Sequence, residues 1–555
     1  MEKKKELGKL ETITILLLII GIFIYEICFC NLKSIIQDGT YNFSLYRIIM
    51  YIIFGVLYKK FANKFISEAE KTLKSKKKII CIYIVFAIIF LVYKLFNEKN
   101  YYTLILIMLS LLNGLLFLLY ITKDYIKNII VTTLTLGFMF SISTEVYNVV
   151  DEKKHFMSTL NVAVGNFDLN NGLTNEDFNN IEFNYLSSNF AKDYFDKYTD
   201  FKMQEIPKDE TEYSTPAGYF QLLYLPGSIG INIARLFGGS IADIFYAGRM
   251  ANLITFSILL ITIFKLLPVK KDTFYAIYLM PMSLVLASYY SVDGIIVGII
   301  GTFIAYVFKL HKNQYDTINL KQFIIIISLY LLILMCKNGA YIAIGLILFI
   351  LPVFKTLKEN SKIRNITIII VLATFAFGIF QVYNVSGMRD TRVEKNNPTQ
   401  QIEYLLESPK NIMNVSFNTL RNTLFNCRFY EDFNKTDLFG KYATMTSFVL
   451  FIFVLYVAIT DGSYRFKNKE KVLQYTSFVV TFFITVSVLY ITYTDVGYPF
   501  TKGYQARYLT PVLPLLLVNI SSKKVVEENN EEITYNNTAM VGGLITIVNL
   551  LLMVI

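Results

Sequence analysis

The chain contains two histidines, and one of them, His155, closely follows an acid pair, Asp151 and Glu152. That pair stands where a long apolar stretch, 128–150, runs out. A carboxylate held at the end of a membrane-crossing stretch is costly unless it meets water, a cation or a substrate. Adjacent acids and an imidazole are also groups that move protons. A carboxylate can take the proton of a hydroxyl as that hydroxyl attacks, and Asp151 is the preferred base with Glu152 second. His155 can orient the acid, bind a metal or shuttle a proton. Further along the chain stand three cations, Arg249, Lys337 and Arg507, arginine being suited to two-point contact with an anion. Asp293 can pair with one of these cations or, with Asp151, help to hold a divalent metal such as Mg or Mn. Plainer readings stand beside each: solvated span ends, snorkelling cations at 249 and 337, a structural counter-ion at 507, a helix cap at 293.

The elements that must position these groups are membrane spans. The chain has 555 residues, 54% of them hydrophobic and 17% charged, with a mean hydropathy of +0.47. Apolar windows recur along nearly its whole length, and about 15 of them are long enough to cross the hydrocarbon layer. The strict alternation of a β-barrel is missing, so the fold class is all-α, a polytopic transmembrane bundle. The spans are expected near 12–30, 44–58, 79–96, 102–122, 128–150, 245–267, 273–290, 293–310, 322–337, 339–354, 365–384, 443–460, 472–493, 506–520 and 538–555. With the N-terminus in the cytoplasm, the segments 59–78, 123–127, 268–272, 311–321, 355–364, 461–471 and 521–537 fall on one side. Nearly all are rich in Lys and Arg, as cytoplasmic loops are. The opposite set, including 151–244 and 385–442, is acidic or balanced. Segment 216–240, broken by Pro226 and several glycines, is read as lying on the outer surface without crossing. This topology puts Asp151, Glu152, His155, Arg249, Asp293, Lys337 and Arg507 at one membrane face.

Residues 151–215 carry 13 acids against six lysines and many aromatics, among them Phe183, Tyr185 and Tyr194. Their pattern suggests short amphipathic helices lying on the bilayer, either a roof over a site or a cap without chemistry. The net charge of +11 is mostly lysine of cytoplasmic loops, which orients the chain and meets anionic lipid; it does not point to nucleic acid. The five cysteines show neither metal spacing nor a disulfide framework. No cleavable signal peptide is evident. A phosphate-binding Gly-Lys-Ser/Thr loop is missing, so ATP-driven transport finds no support. His311 falls in a cytoplasmic loop and reads as incidental.

Six sequence blocks, in order, resemble those of the DUF2142 family of bacterial membrane proteins. They are DEKKHFMSTLNVAVGNF (151–167), YSTPAGYFQLLYLPGSIGINIARLFG, YAGRMANLITF (246–256), LMPMSLVLASYYSVDG (279–294), CKNGAY (336–341) and GYQARYLTPVLPLLL (503–517). Departures are the sequence STEVYNVV before the acid pair, Lys153 and Lys154 just after it, and Ala506 in place of a usual glycine. The resemblance covers about residues 128–520. It implies three parts: an N-terminal four-span extension (1–127), a membrane core (128–520) and a C-terminal linker with a last span (521–555).

That family is similar in layout to GT-C glycosyltransferases, with a GT-C-like core and an outer-face loop domain of interfacial helices. The resemblance implies a multi-pass protein of the bacterial plasma membrane with its site on the extracytoplasmic face. It would take a sugar from a polyprenyl-phosphate-linked donor and pass it to an envelope glycan or glycopolymer. Asp151, Glu152 and His155 would be catalytic, and Arg249, Lys337 and Arg507 would bind the donor phosphate. Asp293, Tyr219, Gln505 and Tyr508 would support them, with Asp151 and Asp293 as the metal candidates. The alternatives are a flippase of lipid-linked sugars, which should carry charges deep within several spans, and a non-catalytic membrane scaffold.

Overall fold

Apolar segments in lipid must satisfy their backbone internally, which a helix does within one segment. The computed structural model follows that rule. It describes residues 2–31, 41, 44–144, 146, 149, 151–163, 165, 219–239, 241–387, 397–425, 443–521 and 531–554, and every regular element among them is helical. The acidic, aromatic-rich stretch of 166–218 and the cysteine at 427 lie outside the described residues.

Seven of the described helices are long and apolar enough to cross a membrane: Leu10–Ile27, Ala69–Asn97, Thr103–Tyr120, Tyr125–Ser143, Asp243–Leu266, Asp293–Lys312 and Asn468–Tyr493. Three shorter apolar helices, Leu320–Met335, Thr444–Thr460 and Thr538–Val554, join them. The expected count of about 15 spans is therefore not reproduced as unbroken helices. Three of the expected spans are interrupted. Segment 273–290 is two eight-residue helices, Lys271–Tyr278 and Pro281–Ser288. Pro281 has no N–H to continue the first helix and instead opens the second. Segment 339–354 holds a 3-10 helix, Ile342–Ile350. Segment 506–520 holds a 3-10 turn, Ala506–Leu509, and a short helix opened by Pro514, Leu513–Leu517. The expected spans 44–58 and 79–96, with the basic loop between them, are instead parts of one 53-residue helix, Leu45–Asn97.

The bundle has a centre and a rim. In Asp293–Lys312, 89% of the apolar window is buried, against 11% in Ala69–Asn97. The first is therefore the core helix and the second faces outward. The segment read as lying on the surface is a 3-10 turn, Gln221–Tyr224, followed by the 12-residue helix Leu225–Leu236. At about 18 Å that helix is well short of the hydrocarbon thickness. It packs tightly on Ile241–Leu266, where a Cβ at Gly230 would run into the carbonyl of Ala247. The helical stretches expected within 385–442 are Pro398–Glu407 and Pro409–Leu420, capped by Asn397 and Ser408.

Each end of the bundle holds its own polar cluster. At one end Lys312 lies over the ring of Tyr464, His311 meets Glu470 at 3.4 Å, and the buried Lys270 is held by the backbone of Asp461 and by Ser521. Helix Asp293–Lys312 runs from there to the opposite end, which gathers the acid pair and its partners.

Candidate active site at one end of the bundle

The span expected at 128–150, the first of the core, ends at Ser143, with Thr144 as its cap. The acid pair therefore stands on its own turn, at the start of the helix Glu152–Ala163. The amide of Glu152 donates to the carbonyl of Val149 and that of His155 to Asp151. Ser228 Oγ donates to the carbonyl of Thr159, and Asn232 to that of Ala163, which ties this helix to Leu225–Leu236.

Glu152 and Arg249 are committed to each other. Arg249 Nε donates to Glu152 Oε1 and Nη2 to Oε2, both at 2.8 Å. Nη1 donates to the carbonyls of Ser141 and Thr144 at 2.9 and 2.6 Å, and the guanidinium lies 4.7 Å from the Phe245 ring centroid. Glu152 Oε1 also accepts the amide of Tyr290 at 3.1 Å. Both side chains are fully buried. This corrects two expectations. With its fork filled by a carboxylate and two carbonyls, Arg249 has no face to offer a donor phosphate. Glu152, neutralised and sealed from solvent, is not placed to take a proton from a substrate. The pair instead joins the end of the core's first span, the acid helix and Ile241–Leu266.

Asp151 differs. It is partly exposed, and its backbone adopts φ +65°. That left-handed conformation is uncommon outside glycine, although Asp tolerates it better than most residues. Lys337 does the same at φ +43°. Such positions persist only where the surroundings hold them, and they concentrate at functional sites. Lys337 lies in the turn after Leu320–Met335. Its Nζ sits 2.6 Å from Asp293 Oδ1 and 4.1 Å from the centroid of the Tyr508 ring. Burial is the largest influence and works against the charge of Lys337, but Asp293 together with Tyr341, Tyr219 and Tyr508 outweighs it and raises the pKa above the ordinary lysine value. Tyr341 donates to the carbonyl of Tyr508 at 2.9 Å, which fixes the ring under the ammonium.

Arg507 lies in the 3-10 turn Ala506–Leu509. Arg507 Nε and Gln505 Oε1 are buried atoms without a hydrogen-bond partner among the described residues. Buried polar atoms ordinarily have partners, so both atoms are left for water or a ligand to bond.

His155 is at the centre of these groups. Its Nδ1 lies 3.0 Å from Tyr224 Oη, and its ring stacks on Tyr219 at a centroid distance of 5.8 Å and an interplanar angle of 9°. Burial pushes its pKa down to about 4, and the nearby charges of Asp293, Asp151, Lys337 and Arg507 adjust that only secondarily. His155 is therefore neutral at physiological pH. It can orient a neighbour or accept a hydrogen bond, but it does not supply a positive charge. The sign of its linkage to stability follows. Between the unfolded value of 6.5 and the folded value of about 4, the unfolded chain binds the extra proton. Stability is thus expected to fall as pH drops through that window, and His155→Gln should flatten that part of the curve. Thermal unfolding of the full chain in detergent at several pH values checks this; an unchanged pH dependence in the variant contradicts it.

The structure thus brings together Asp151, His155, Asp293, Lys337, Arg507, Tyr219, Gln505 and Tyr508, and withdraws Glu152 and Arg249 into a strut. Asp293 carries the ammonium of Lys337, and among the described residues no three His, Cys, Asp or Glu side chains stand close enough to hold an ion. Sequence reasoning missed Tyr224, the partner of His155, and the amide of Tyr290 on Glu152. The first lay within a quoted block, but nothing in its spacing singled it out. The second is a backbone contact that no residue type announces.

No curated protein and no solved structure is similar enough to match the chain. A family model described as a predicted membrane protein, DUF2142, matches residues 134–516, which run from within the first span of the site, through Asp151, Asp293 and Lys337, to just past Arg507. The match covers more than half of the chain, and the protein belongs to the DUF2142 family of membrane proteins.

Proposed function

We propose that this protein is an integral membrane glycosyltransferase of the bacterial plasma membrane. It transfers a sugar from a polyprenyl-phosphate-linked donor to an envelope glycan or glycopolymer at the outer face. The observation that carries this reading is one charge cluster assembled from four separate elements. It contains a partly exposed carboxylate in a left-handed turn, two cations and a buried neutral imidazole. Charge supports the outer face: Lys270 and Lys312, which border loops read as cytoplasmic, lie at the other end of the bundle.

In the proposed reaction the acceptor oxygen attacks the anomeric carbon from the side opposite the lipid phosphate. A new C–O bond forms, the bond from that carbon to the phosphate oxygen breaks, and the configuration inverts. Asp151 takes the acceptor proton. The bonding electrons leave with the lipid phosphate, whose added charge meets Arg507 and Lys337. Arg507 has a buried Nε still to be bonded, whereas Lys337 is already half-neutralised by Asp293. Arg507 is therefore the main phosphate ligand and Lys337 the supporting one. Tyr219 and His155 form a stacked aromatic wall suited to a sugar face.

Arg507→Gln is expected to lower kcat about 10²- to 10³-fold, as removal of one donor to a developing oxyanion does. Arg507→Lys should retain part of the rate. Steady-state kinetics of the purified full chain with polyprenyl-phosphate sugars and an envelope acceptor test this. Equal rates in the wild type and Arg507→Gln would remove Arg507 from the site.

A further inference from the structure

The N-terminal helices precede the residues that the family model matches, yet they are bound to its core by a buried charge chain. Arg47 Nε donates to both oxygens of Glu26, at 3.1 and 3.0 Å, and Nη1 donates to Asp243 Oδ1 at 3.0 Å. Ser44, which caps the helix of Arg47, donates to the other oxygen of Asp243 at 2.7 Å. Tyr41 and Tyr51 donate to Glu26 at 2.8 and 2.6 Å. The side chains of Arg47 and Asp243 are 10% and 7% exposed, so neither charge is left to solvent. Asp243 lies in the first turn of Ile241–Leu266. On the same helix, about 9 Å further along its axis, Arg249 holds Glu152, and Asp151 precedes Glu152 directly in the chain.

We propose that the N-terminal helices form a positioning module for the site. Arg47 is its positioning residue: it fixes the start of Ile241–Leu266 and, through Arg249 and Glu152, the left-handed turn of Asp151. The physical reason is that two buried ion pairs on one short stretch of helix leave it little freedom to slide or rotate. Breaking the outer pair takes from the buried Asp243 the guanidinium it faces, and the helix start must move or hydrate to relieve that. Arg249 moves with the helix, and its bonds to Glu152 pass that movement to the acid turn. This role concerns the geometry of the Asp151 turn and rests on the proposed function only in calling that turn catalytic.

The test is backbone hydrogen exchange of the full chain in detergent, read peptide by peptide. Arg47→Gln should speed exchange about tenfold in 241–250 and in 152–163, and leave 461–474 at the far end unchanged. Lys76→Met is the control. Lys76 donates to the carbonyls of Leu118, Leu119 and Ile121 at the opposite end of the same N-terminal helices. Its loss should leave 152–163 unchanged. Faster exchange in 241–250 alone, or an equal effect of Lys76→Met on 152–163, overturns the proposal. If Arg47→Gln exchanges globally, Arg47→Lys, which keeps the charge but loses the two-point grip on Glu26, is read instead; it should loosen 152–163 and spare 461–474. Because exchange reports geometry without substrate, a negative result here is distinct from a failure of the transferase reading. If transfer activity is present, Arg47→Lys should lower kcat while leaving donor KM in place, the pattern of a misplaced base.

Discussion

Asp151→Asn is expected to slow sugar transfer by about 10²- to 10⁴-fold, the range that a positioned general base contributes. The substitution is a narrow one. Asn is close to Asp in size and shares its tolerance of left-handed backbone, so the turn at φ +65° should persist. What it removes is the ability to take a proton. Single-turnover rates at saturating donor isolate the chemical step from binding. An Asn variant as fast as the wild type would take the base away from Asp151. Glu152 could not be called on in its place without leaving Arg249 unpaired in the interior.

Arg249→Met is expected to produce the largest loss of stability in the molecule, about 3–5 kcal/mol. It would take from Glu152, fully buried and also bonded by the amide of Tyr290, the guanidinium that grips both of its oxygens. Replacing both partners, as Arg249→Met with Glu152→Leu, should recover most of that loss, because two apolar groups of similar volume need no pairing. A double-mutant cycle in detergent unfolding measures the coupling. A single-variant cost below about 1 kcal/mol would mean that the pair behaves as a hydrated surface bridge, and that the strut drawn here is wrong.

These two residues also show where sequence reading stops. The apolar stretches declared a helical membrane protein, because few other structures satisfy the backbone in lipid. The charge asymmetry of the loops sorted the polar groups to one end, and Asp151, Asp293, Lys337 and Arg507 do meet there. Their partners were not legible. Glu152 and Arg249 are separated by 97 positions, and residue type alone makes either of them as fit for catalysis as for a strut. Only the depth of the pair and the carbonyls of Ser141 and Thr144 decide it. Pro281 and Pro514 break two spans that were read as continuous, and apolarity over 342–350 gives no sign that the segment winds as a 3-10 helix. The link between Arg47 and Asp243 joins helices from outside and inside the resemblance, so no motif spans it.

The most direct test of the account follows two labels on one donor. Purified full chain in liposomes is given a polyprenyl-phosphate sugar carrying one isotope in the sugar and another in the phosphate, with an envelope acceptor on the outside. The account predicts that the sugar label moves to the acceptor while the phosphate label stays on the lipid, and that Asp151→Asn abolishes the separation. Both labels crossing the bilayer together on intact donor, equally in the wild type and Asp151→Asn, would contradict it and identify a flippase.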